Sequence, residues 1–343
     1  LDPAVIPGAL HAALTVLEKW GTLSFEEVSA RAIQYAEHGF ALRPRTALAI
    51  KNQLKFIEQW PGNRAYWLKS DGTLYTPGET IRFPTLAATL KKMVAAERMR
   101  KSKNRIAGIK AARDRFYKGD IAREMVGFLK EHQAPFELAD FAEFYARVEA
   151  PSMTTYRGLE VYKHGFGSQG PVLLQALNIL ENFDLKAMKL NSADYLHTVV
   201  EALKLAYADR DTYYADTDFV KVPAEGLLSK AYAKERAQLI DPKRANRTFV
   251  AGNPLPFDSQ VKEWKYWVAN IREERKPDAP LPDAEPVAGA IKDTTHIAII
   301  DKDGNIFDST PSGGWIPGAV ILGKTGIGMS IRGEQFWLDK TRA

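Results

Sequence analysis

The 343-residue sequence predicts an α+β protein in which a long helical region precedes a short segment of β-structure. Apolar residues recur with helical spacing through most of the first 275 positions. Residues 276–286 then contain four prolines, which exclude a regular helix and predict an exposed linker. Two β-branched runs follow at residues 295–300 and 306–310, and the Asp303-Gly304 pair between them is a strong hairpin signal.

The first well-marked helix begins at Ser24, because Ser24 and Glu27 have the spacing of a capping box. Gly39 suits the end of this helix. The positions expected on its buried face share helical spacing: Val28, Ala32, Tyr35 and Ala36. A second helix is expected over residues 45–60 and would end before Pro61.

The remaining elements follow from similar signals. An Asp-Gly pair predicts a hairpin over residues 69–77, and residues 154–163 have the composition of a strand. Further helices are expected over residues 84–118, 120–132, 172–180, 230–239 and 261–275. Ser192 would begin the longest helix. Its expected buried stripe consists of Leu196, Val199, Leu203, and Ala206 or Tyr207. Residues 313–333, with seven glycines, predict loops and strands without helix.

The composition excludes several classes of function. There is no cysteine, which rules out disulfides, thiolate metal sites and cysteine nucleophiles. No apolar run is long enough to predict a membrane span. The N-terminus has neither an initiator Met nor a basic region, so we interpret Leu1 as following a cut point.

The net charge of +5 is unevenly distributed. Between Lys91 and Lys118 there are eleven Lys or Arg residues and only two acids. Such a stretch is compatible with a nucleic-acid partner or with a solvated helix face. We favour the solvated face, because no aromatic residues for base stacking are interleaved with most of these charges.

The junction between the predicted linker and the first predicted strand contains Asp293 and Thr294. A threonine hydroxyl is a poor nucleophile at neutral pH and needs a nearby base. If the Asp293–Thr294 bond is cut, the new α-amine of Thr294, with an ordinary pKa near 8, can act as that base. The alternative is that a threonine pair at a strand start only reflects the β-preference of branched residues.

Several motifs support the first interpretation. The segment Asp293-Thr294-Thr295-His296-Ile297 and its continuation to Asn305 resemble the processing site of γ-glutamyltranspeptidases, whose small subunit begins Thr-Thr-His. Other segments resemble that family in the same order along the chain: residues 7–23, 116–122, 177–184, 206–210 and 218–223. The chain is therefore identified as a member of this family, which belongs to the N-terminal-nucleophile (Ntn) hydrolases.

The resemblance implies a four-layer αββα sandwich with a helix-rich large-subunit region. It implies self-cleavage into a large-subunit portion, residues 1–293, and the start of a small subunit, residues 294–343. Thr294 would attack a γ-glutamyl-type amide, and the acyl-enzyme would pass its acyl group to water or an amine. The implied partners are this small-molecule or peptide substrate and the two subunits of one precursor, with no nucleic acid.

The resemblance implies neither a metal nor an organic cofactor. It also implies export to the periplasm or secretion. In the family, the small subunit is longer than residues 294–343. The glycines of the oxyanion hole are therefore expected beyond residue 343, and the arginine that binds the substrate carboxylate is expected before Leu1.

The sequence departs from the family after the hairpin. Ser312 stands where the family has the threonine that supports the nucleophile, and Gly314 replaces an asparagine that binds the substrate amine. Arg332 and Gln335 fall near the family's Gln and Asp. A guanidinium would bind a carboxylate rather than an ammonium group, so we expect glutaryl or poly-γ-glutamyl donors. Alternatively, Arg332 forms a structural ion pair with Glu334 or another acid.

Two further alternatives concern the role of the site. His296 could complete a catalytic triad, but we favour an orienting role because the α-amine of Thr294 already supplies a base. The whole chain could also be an uncleaved, non-catalytic relative that acts as a binding or scaffold protein. We favour the enzyme.

Overall fold

The computed structural model describes residues 4–101, 104–247, 250–266, 294–313, 315–330 and 332–335. These form two compact units, one of residues 4–147 and 294–335 and the other of residues 148–266. The predicted α+β class is confirmed, since helices predominate and the described strands pair in four two-stranded sheets. Within the described part of the chain, no helix is both long and apolar enough to cross a membrane.

The first unit begins with helices and two short strands. The helices are α1 (Ala9–Trp20), α2 (Phe25–His38), α3 (Pro44–Asn52), α4 (Leu54–Gln59), α5 (Pro61–Trp67), α6 (Pro84–Lys101), α7 (Arg105–Tyr117), α8 (Asp120–Glu131) and α9 (Leu138–Glu143). Strand β1 (Phe40–Ala41) pairs with β2 (Thr80–Ile81). One core cluster packs α1, α7 and α8 around Ile109, Phe116 and Met125, all almost fully buried.

The capping box that begins α2 is confirmed. Glu27 accepts a hydrogen bond from the backbone N–H of Ser24 at 2.8 Å, and the Ser24 hydroxyl accepts from the N–H of Glu27 at 3.3 Å. The fully buried carboxylate of Glu97 from α6 accepts from the N–H groups of Phe25 and Glu26 at 2.8 and 2.7 Å. Unpaired N–H groups at a helix start favour such an anion, so Glu97 fixes α2 on α6.

The expected buried face of α2 is largely wrong. Val28 and Tyr35 are 49% and 54% exposed, and the helix instead buries Phe25, Ser29 and Ala36. The hydrogen bonds to Glu97 fix the rotation of α2 about its own axis. Hydropathy alone predicted a neighbouring face of the helix as the buried one.

The basic stretch between Lys91 and Lys118 is balanced by acids of the same unit. Its ion pairs include Lys91–Glu37, Lys92–Asp120, Arg98–Glu26, Arg113–Glu18, Arg115–Asp120 and Lys118–Asp114. The hydrogen bonds from Arg115 lower the pKa of Asp120 to about 2. This local compensation supports the interpretation of a solvated helix face.

The C-terminal part of the first unit returns to these helices. It contains β5 (Ile297–Ile300), β6 (Ile306–Ser309), α14 (Trp315–Gly318), β7 (Val320–Ile321), β8 (Gly328–Met329) and a 3-10 turn (Arg332–Gln335). Asn63 of α5, fully buried, donates to the carbonyl of Ala319 at 3.0 Å and accepts from the N–H of Ile321 at 2.7 Å. A Cβ on Gly62 would lie 2.7 Å from the carbonyl oxygen of Ile321. The Gly-Asn pair therefore permits and fixes the contact of α5 with β7.

The second unit contains β3 (Ser152–Tyr156), β4 (Leu159–Lys163), α10 (Gly170–Leu180), α11 (Ala193–Tyr213), α12 (Ala224–Leu228), α13 (Lys230–Ala237) and a 3-10 turn (Leu255–Phe257). The strand expected over residues 154–163 is instead the β3–β4 hairpin. Arg157 and Gly158 both have positive φ, 50° and 84°, as a tight two-residue turn requires.

Ser192 caps α11 as predicted, and most of the predicted stripe is confirmed, since Ala206 is fully buried and Val199 and Leu203 are partly buried against core clusters. Leu196 is wrong, being 49% exposed, and Tyr207, the alternative to Ala206, is 38% exposed; the polar residues Glu201 and Asp209 are buried beside the stripe. Asp209 forms a buried ion pair with Arg236 of α13 at 3.1 Å. A hydropathy pattern assigns charged residues to the solvent face, so it left Glu201 and Asp209 out of the stripe.

Two predictions between residues 45 and 77 are confirmed only in part. The helix expected over residues 45–60 is broken at Gln53, where φ is −103° and ψ is 14°, into α3 and α4, and α4 ends before Pro61 as expected; Pro61 then begins α5, which was not predicted. Proline suits the first position of a helix because its missing N–H would be unpaired there. Of the hairpin expected over residues 69–77, only the turn forms, with the N–H of Gly72 bonded to the carbonyl of Lys69.

Toward the C-terminus, residues 261–266 are irregular, although a helix was expected from residue 261. Trp264 donates its indole N–H to the carbonyl of Thr212 at 3.1 Å, which fixes this segment on α11. Residues 267–275 and the linker at 276–286 lie outside the described residues. The segment 313–333 contains the expected strands but also α14, a single turn too short to carry a helical period.

Candidate active site

The β5–β6 hairpin is shaped by its loop, residues 301–305. The carboxylate of Asp301 accepts from the N–H groups of Asp303 and Asn305 at 2.9 and 2.8 Å, and from the Asn305 amide at 2.8 Å. These hydrogen bonds, those of Asn305 foremost, lower the pKa of Asp301. The N–H of Asp301 donates to the carbonyl of Asn305 at 3.0 Å, which leaves residues 302–304 as the three-residue turn, and Gly304 has φ +83°, the left-handed conformation that closes such a turn. The loop thereby fixes the register that pairs Ile300 with Ile306.

This register extends beyond the strands to the predicted nucleophile. The N–H of Thr295 donates to the carbonyl of Pro311 at 3.2 Å, which places Thr294 opposite Ser312. Because hydrogen-bonded and non-hydrogen-bonded pairs alternate, Thr294–Ser312 is a non-hydrogen-bonded pair. Side chains approach most closely across such pairs. The hydroxyl oxygens of Thr294 and Ser312 are accordingly 2.7 Å apart.

Arg332 also contacts this pair. Its Nη2 donates to the Ser312 hydroxyl oxygen at 2.5 Å, while its backbone N–H donates to the Ser330 hydroxyl at 3.2 Å. Ser330 is itself held by a hydrogen bond from the N–H of Val5 to its carbonyl at 2.9 Å. The site thus contains three polar side chains in series, Arg332, Ser312 and Thr294.

His296 lies on the same face of the hairpin, two positions from Thr294. Its Nδ1 is 3.0 Å from the Thr310 hydroxyl, the residue opposite it, and its Nε2 is 3.4 Å from the carboxylate of Asp308. Both ring nitrogens therefore face partners on the other arm of the hairpin, which favours the orienting interpretation. Sequence reasoning missed Asp308 of β6 and Thr310 directly after it, although the alternation of side chains along this arm of the hairpin places both on the face of His296.

The structure brings together three predicted site residues: Thr294, Ser312 and Arg332. Asp293 and Gly314 lie outside the described residues. Gln335 is described only in its backbone, at the end of the 3-10 turn, and the side chain of Glu334 is not described either. The contact between Arg332 and Ser312 was not predicted, because no local pattern links positions 20 residues apart.

The site is open and lightly charged. The side chains of Thr294, His296 and Ser312 are exposed, and Arg332 is half-buried. Within the described ranges, no three His, Asp or Glu side chains are grouped as metal ligands would be. The site therefore contains two neighbouring hydroxyl groups. The hydroxyl of Thr294 shares one short hydrogen bond with that of Ser312, and the hydroxyl of Ser312 also accepts from the guanidinium of Arg332.

Comparisons with known proteins agree on one family for this chain. The sequence model of the gamma-glutamyltranspeptidase family matches residues 2–343. The chain is 30% identical to the Acylase ACY 1 proenzyme of Pseudomonas sp. (strain SE83), over 92% of its own length and 48% of that protein. It is also 30% identical to the Glutathione hydrolase-like YwrD proenzyme of Bacillus subtilis (strain 168), over 99% of its own length and 55% of that protein.

Solved structures agree with these relatives. The crystal structure of a cephalosporin acylase from Bacillus halodurans matches 99% of this chain and 54% of that chain, with 25% identity and a TM-score of 0.76. The chain spans about half the length of the curated relatives that it matches. With the family match over residues 2–343 and a Thr-Thr-His strand start paired to Ser312, the chain belongs to the gamma-glutamyltranspeptidase family.

Proposed function

We propose that the protein is a self-processing threonine amidohydrolase or acyltransferase in which Thr294 is the nucleophile. The peptide bond between Asp293 and Thr294 would be cut, and the freed α-amine of Thr294 would take the proton of its own hydroxyl. Thr294 would attack the carbonyl of a γ-glutamyl or related amide, and the acyl-enzyme would then react with water or an amine.

The 2.7 Å contact between the hydroxyls of Thr294 and Ser312 carries this proposal. A supporting hydroxyl at that distance can hold the nucleophile in one rotamer and stabilise charge that develops on its oxygen. Family membership supports the same chemistry, and both curated relatives described above are named proenzymes. A non-catalytic scaffold has no comparable observation in its favour.

Cleavage of the full-length protein tests the proposal directly. On incubation we expect two chains by denaturing gel and intact mass, with Thr294 at the new N-terminus. Thr294→Ala should remain a single chain. Thr295→Ala is the matched control, because this neighbour faces the opposite side of the hairpin, and it should still be cut. A wild-type protein that stays intact would support the uncleaved scaffold instead.

We further propose that the preferred acyl group carries a free terminal carboxylate without the α-ammonium group that a γ-glutamyl donor has beside it. Arg332 lies beside the nucleophile pair, and a guanidinium attracts a carboxylate and repels a cation. Among five-carbon 4-nitroanilides, the glutaryl compound should therefore have a kcat/KM about tenfold above the γ-glutamyl compound, equivalent to about 1.4 kcal/mol. A strong preference for the γ-glutamyl compound would contradict this assignment.

We also propose that the β5–β6 hairpin forms part of a four-layer αββα sandwich. The hairpin exposes apolar side chains on both faces, with Ile299 and Phe307 on one and Ile300 and Ile306 on the other. A two-stranded hairpin is marginal in water unless further layers cover it. By the alternation of pairs, the N–H groups of Ala298 and Ile300 point away from β6. If β5 is an inner strand, hydrogen exchange at these two amides should be slow, whereas rapid exchange would exclude the sandwich.

A further inference from the structure

We infer that Arg332 is a positioning residue that acts on Thr294 through Ser312. The inference rests on the proposed function of Thr294 as the nucleophile. It assigns Arg332 a role in the reaction of every acyl donor, beyond any contact with a substrate carboxylate.

The direction of the hydrogen bonds follows from the chemistry of the three groups. A guanidinium can only donate, so the Ser312 oxygen accepts from Arg332 at 2.5 Å. The Ser312 hydroxyl then has its own proton to donate, and the Thr294 oxygen lies 2.7 Å away. A hydroxyl that accepts from a cation becomes a stronger donor, because hydrogen bonds in series polarise one another. The series therefore favours donation from Ser312 to Thr294 over the reverse.

This direction matters for the reaction. A Thr294 oxygen that accepts from Ser312 keeps its own proton for the α-amine released by cleavage. As the Oγ–C bond forms, that proton moves to the α-amine, and the electron pair of the carbonyl moves to its oxygen. When the C–N bond breaks, the α-ammonium returns the proton to the leaving amine. The bond from Ser312 stabilises the Thr294 oxygen while it has lost its proton.

The positive charge has a second effect. Arg332 lies two hydrogen bonds from Thr294, so it disfavours the protonated form of the α-amine. More of the amine is then present as a base near neutrality. Loss of this charge should move the rising limb of the pH–rate profile to higher pH. A residue that only supports the fold would not move this limb.

Contacts of the backbone beside it orient Arg332 for this role. Its backbone N–H is bonded to the Ser330 hydroxyl, and Ser330 pairs with Val5. A Cβ on Gly313 would lie 3.4 Å from Ser330, so the segment beside Ser312 passes close to the end of β8. This arrangement directs the guanidinium across the short gap to Ser312. We propose that its other side-chain N–H groups, for which the described residues show no partner, contact a substrate carboxylate.

A double-mutant cycle in the full-length protein separates the two roles of Arg332. The substrates are glutaryl and pentanoyl 4-nitroanilide, which have the same chain length and differ in the terminal carboxylate. Arg332→Met should lower kcat/KM for the pentanoyl compound about tenfold to a hundredfold, and should lower it about tenfold further for the glutaryl compound, which also loses the contact with its carboxylate. In a Ser312→Ala background the same change should cost less than about threefold on the pentanoyl compound, because the route to Thr294 is already broken. Arg332→Lys, which keeps the charge, should restore the position of the rising pH limb.

Self-cleavage provides a second measurement, which involves no substrate. Arg332→Met and Ser312→Ala precursors should each be cut more slowly than wild type, and the double variant no more slowly than Ser312→Ala alone. Wild-type rates of cleavage and of pentanoyl turnover in a folded Arg332→Met protein would overturn the inference. An undiminished Arg332 effect in the Ser312→Ala background would overturn it as well. If Thr294→Ala keeps full turnover, the proposed function itself fails, which is a different result.

Discussion

The buried ion pair of the second unit gives the sharpest prediction about stability. Asp209 of α11 is fully buried, and its two oxygens accept four hydrogen bonds. The donors are Arg236 at 3.1 Å, Gly252 N–H at 2.9 Å, Tyr232 at 2.9 Å and Gln175 at 3.1 Å. Burial raises the pKa of Asp209, and these partners oppose that effect. We predict that Asp209→Asn strongly destabilises this unit.

The size of the effect follows from what the substitution leaves behind. An amide has one oxygen, so its NH₂ group faces two of the four donors, and each unpaired buried group costs about 1–3 kcal/mol. Arg236, 3% exposed, also loses its counter-charge. Removal of one partner from a buried ion pair typically costs about 3–5 kcal/mol. This is a large share of the roughly 5–15 kcal/mol that stabilises a whole domain.

Urea unfolding followed by circular dichroism measures this loss. The matched control is Asp211→Asn on the same helix, because Asp211 pairs with Arg210 at the surface. Exposed pairs contribute little, so the control should unfold like wild type. Adding Arg236→Met to Asp209→Asn should recover part of the loss, since the unpaired charge is removed. A cost below about 1 kcal/mol for Asp209→Asn would refute the reasoning.

Two further predictions concern the first unit. Burial, with a smaller contribution from Arg113, lowers the pKa of His11, whose Nδ1 accepts from the N–H of Ala146 at 3.1 Å. The folded state thus favours the neutral ring, so stability should fall as the pH drops below about 6.5, and His11→Asn should flatten the dependence of Tm on pH between 7 and 5. Asn63→Ala leaves two buried backbone groups unpaired and should lower the free energy of unfolding by about 1–3 kcal/mol in urea, whereas an unchanged value would mean that water replaces the amide.

Local signals in the sequence predicted the parts of the fold that depend on neighbouring residues. The capping box at Ser24 and the hairpin around Gly304 each need only a few adjacent positions, and both are confirmed. The hairpin also positions the candidate site, because the length of its loop determines which residue lies opposite Thr294. The family resemblance had placed Ser312 in the supporting position, and the register of the hairpin pairs it with Thr294.

The features that sequence reasoning missed depend on distant parts of the chain. Glu97 sets the rotation of α2 across about 70 positions of sequence, and Arg236 pairs with Asp209 across 27. Both carboxylates are buried with partners, whereas hydropathy treats any acid as exposed. Arg332 reaches Ser312 only after the chain has passed through β7 and β8. No periodicity within one element can reveal such contacts.

The register of the hairpin also bears on how self-cleavage and catalysis could use the same residue. Thr294 is in a non-hydrogen-bonded pair, so its backbone N–H points away from β6 and holds no bond of the ladder. The N–H of Thr295, one position later, donates to the carbonyl of Pro311. Because proline has no N–H, this pair has only that one hydrogen bond. A cut before Thr294 would therefore break no hydrogen bond of the hairpin. The new α-amine would be free to accept a proton, while Thr295 would keep the nucleophile at its distance from Ser312.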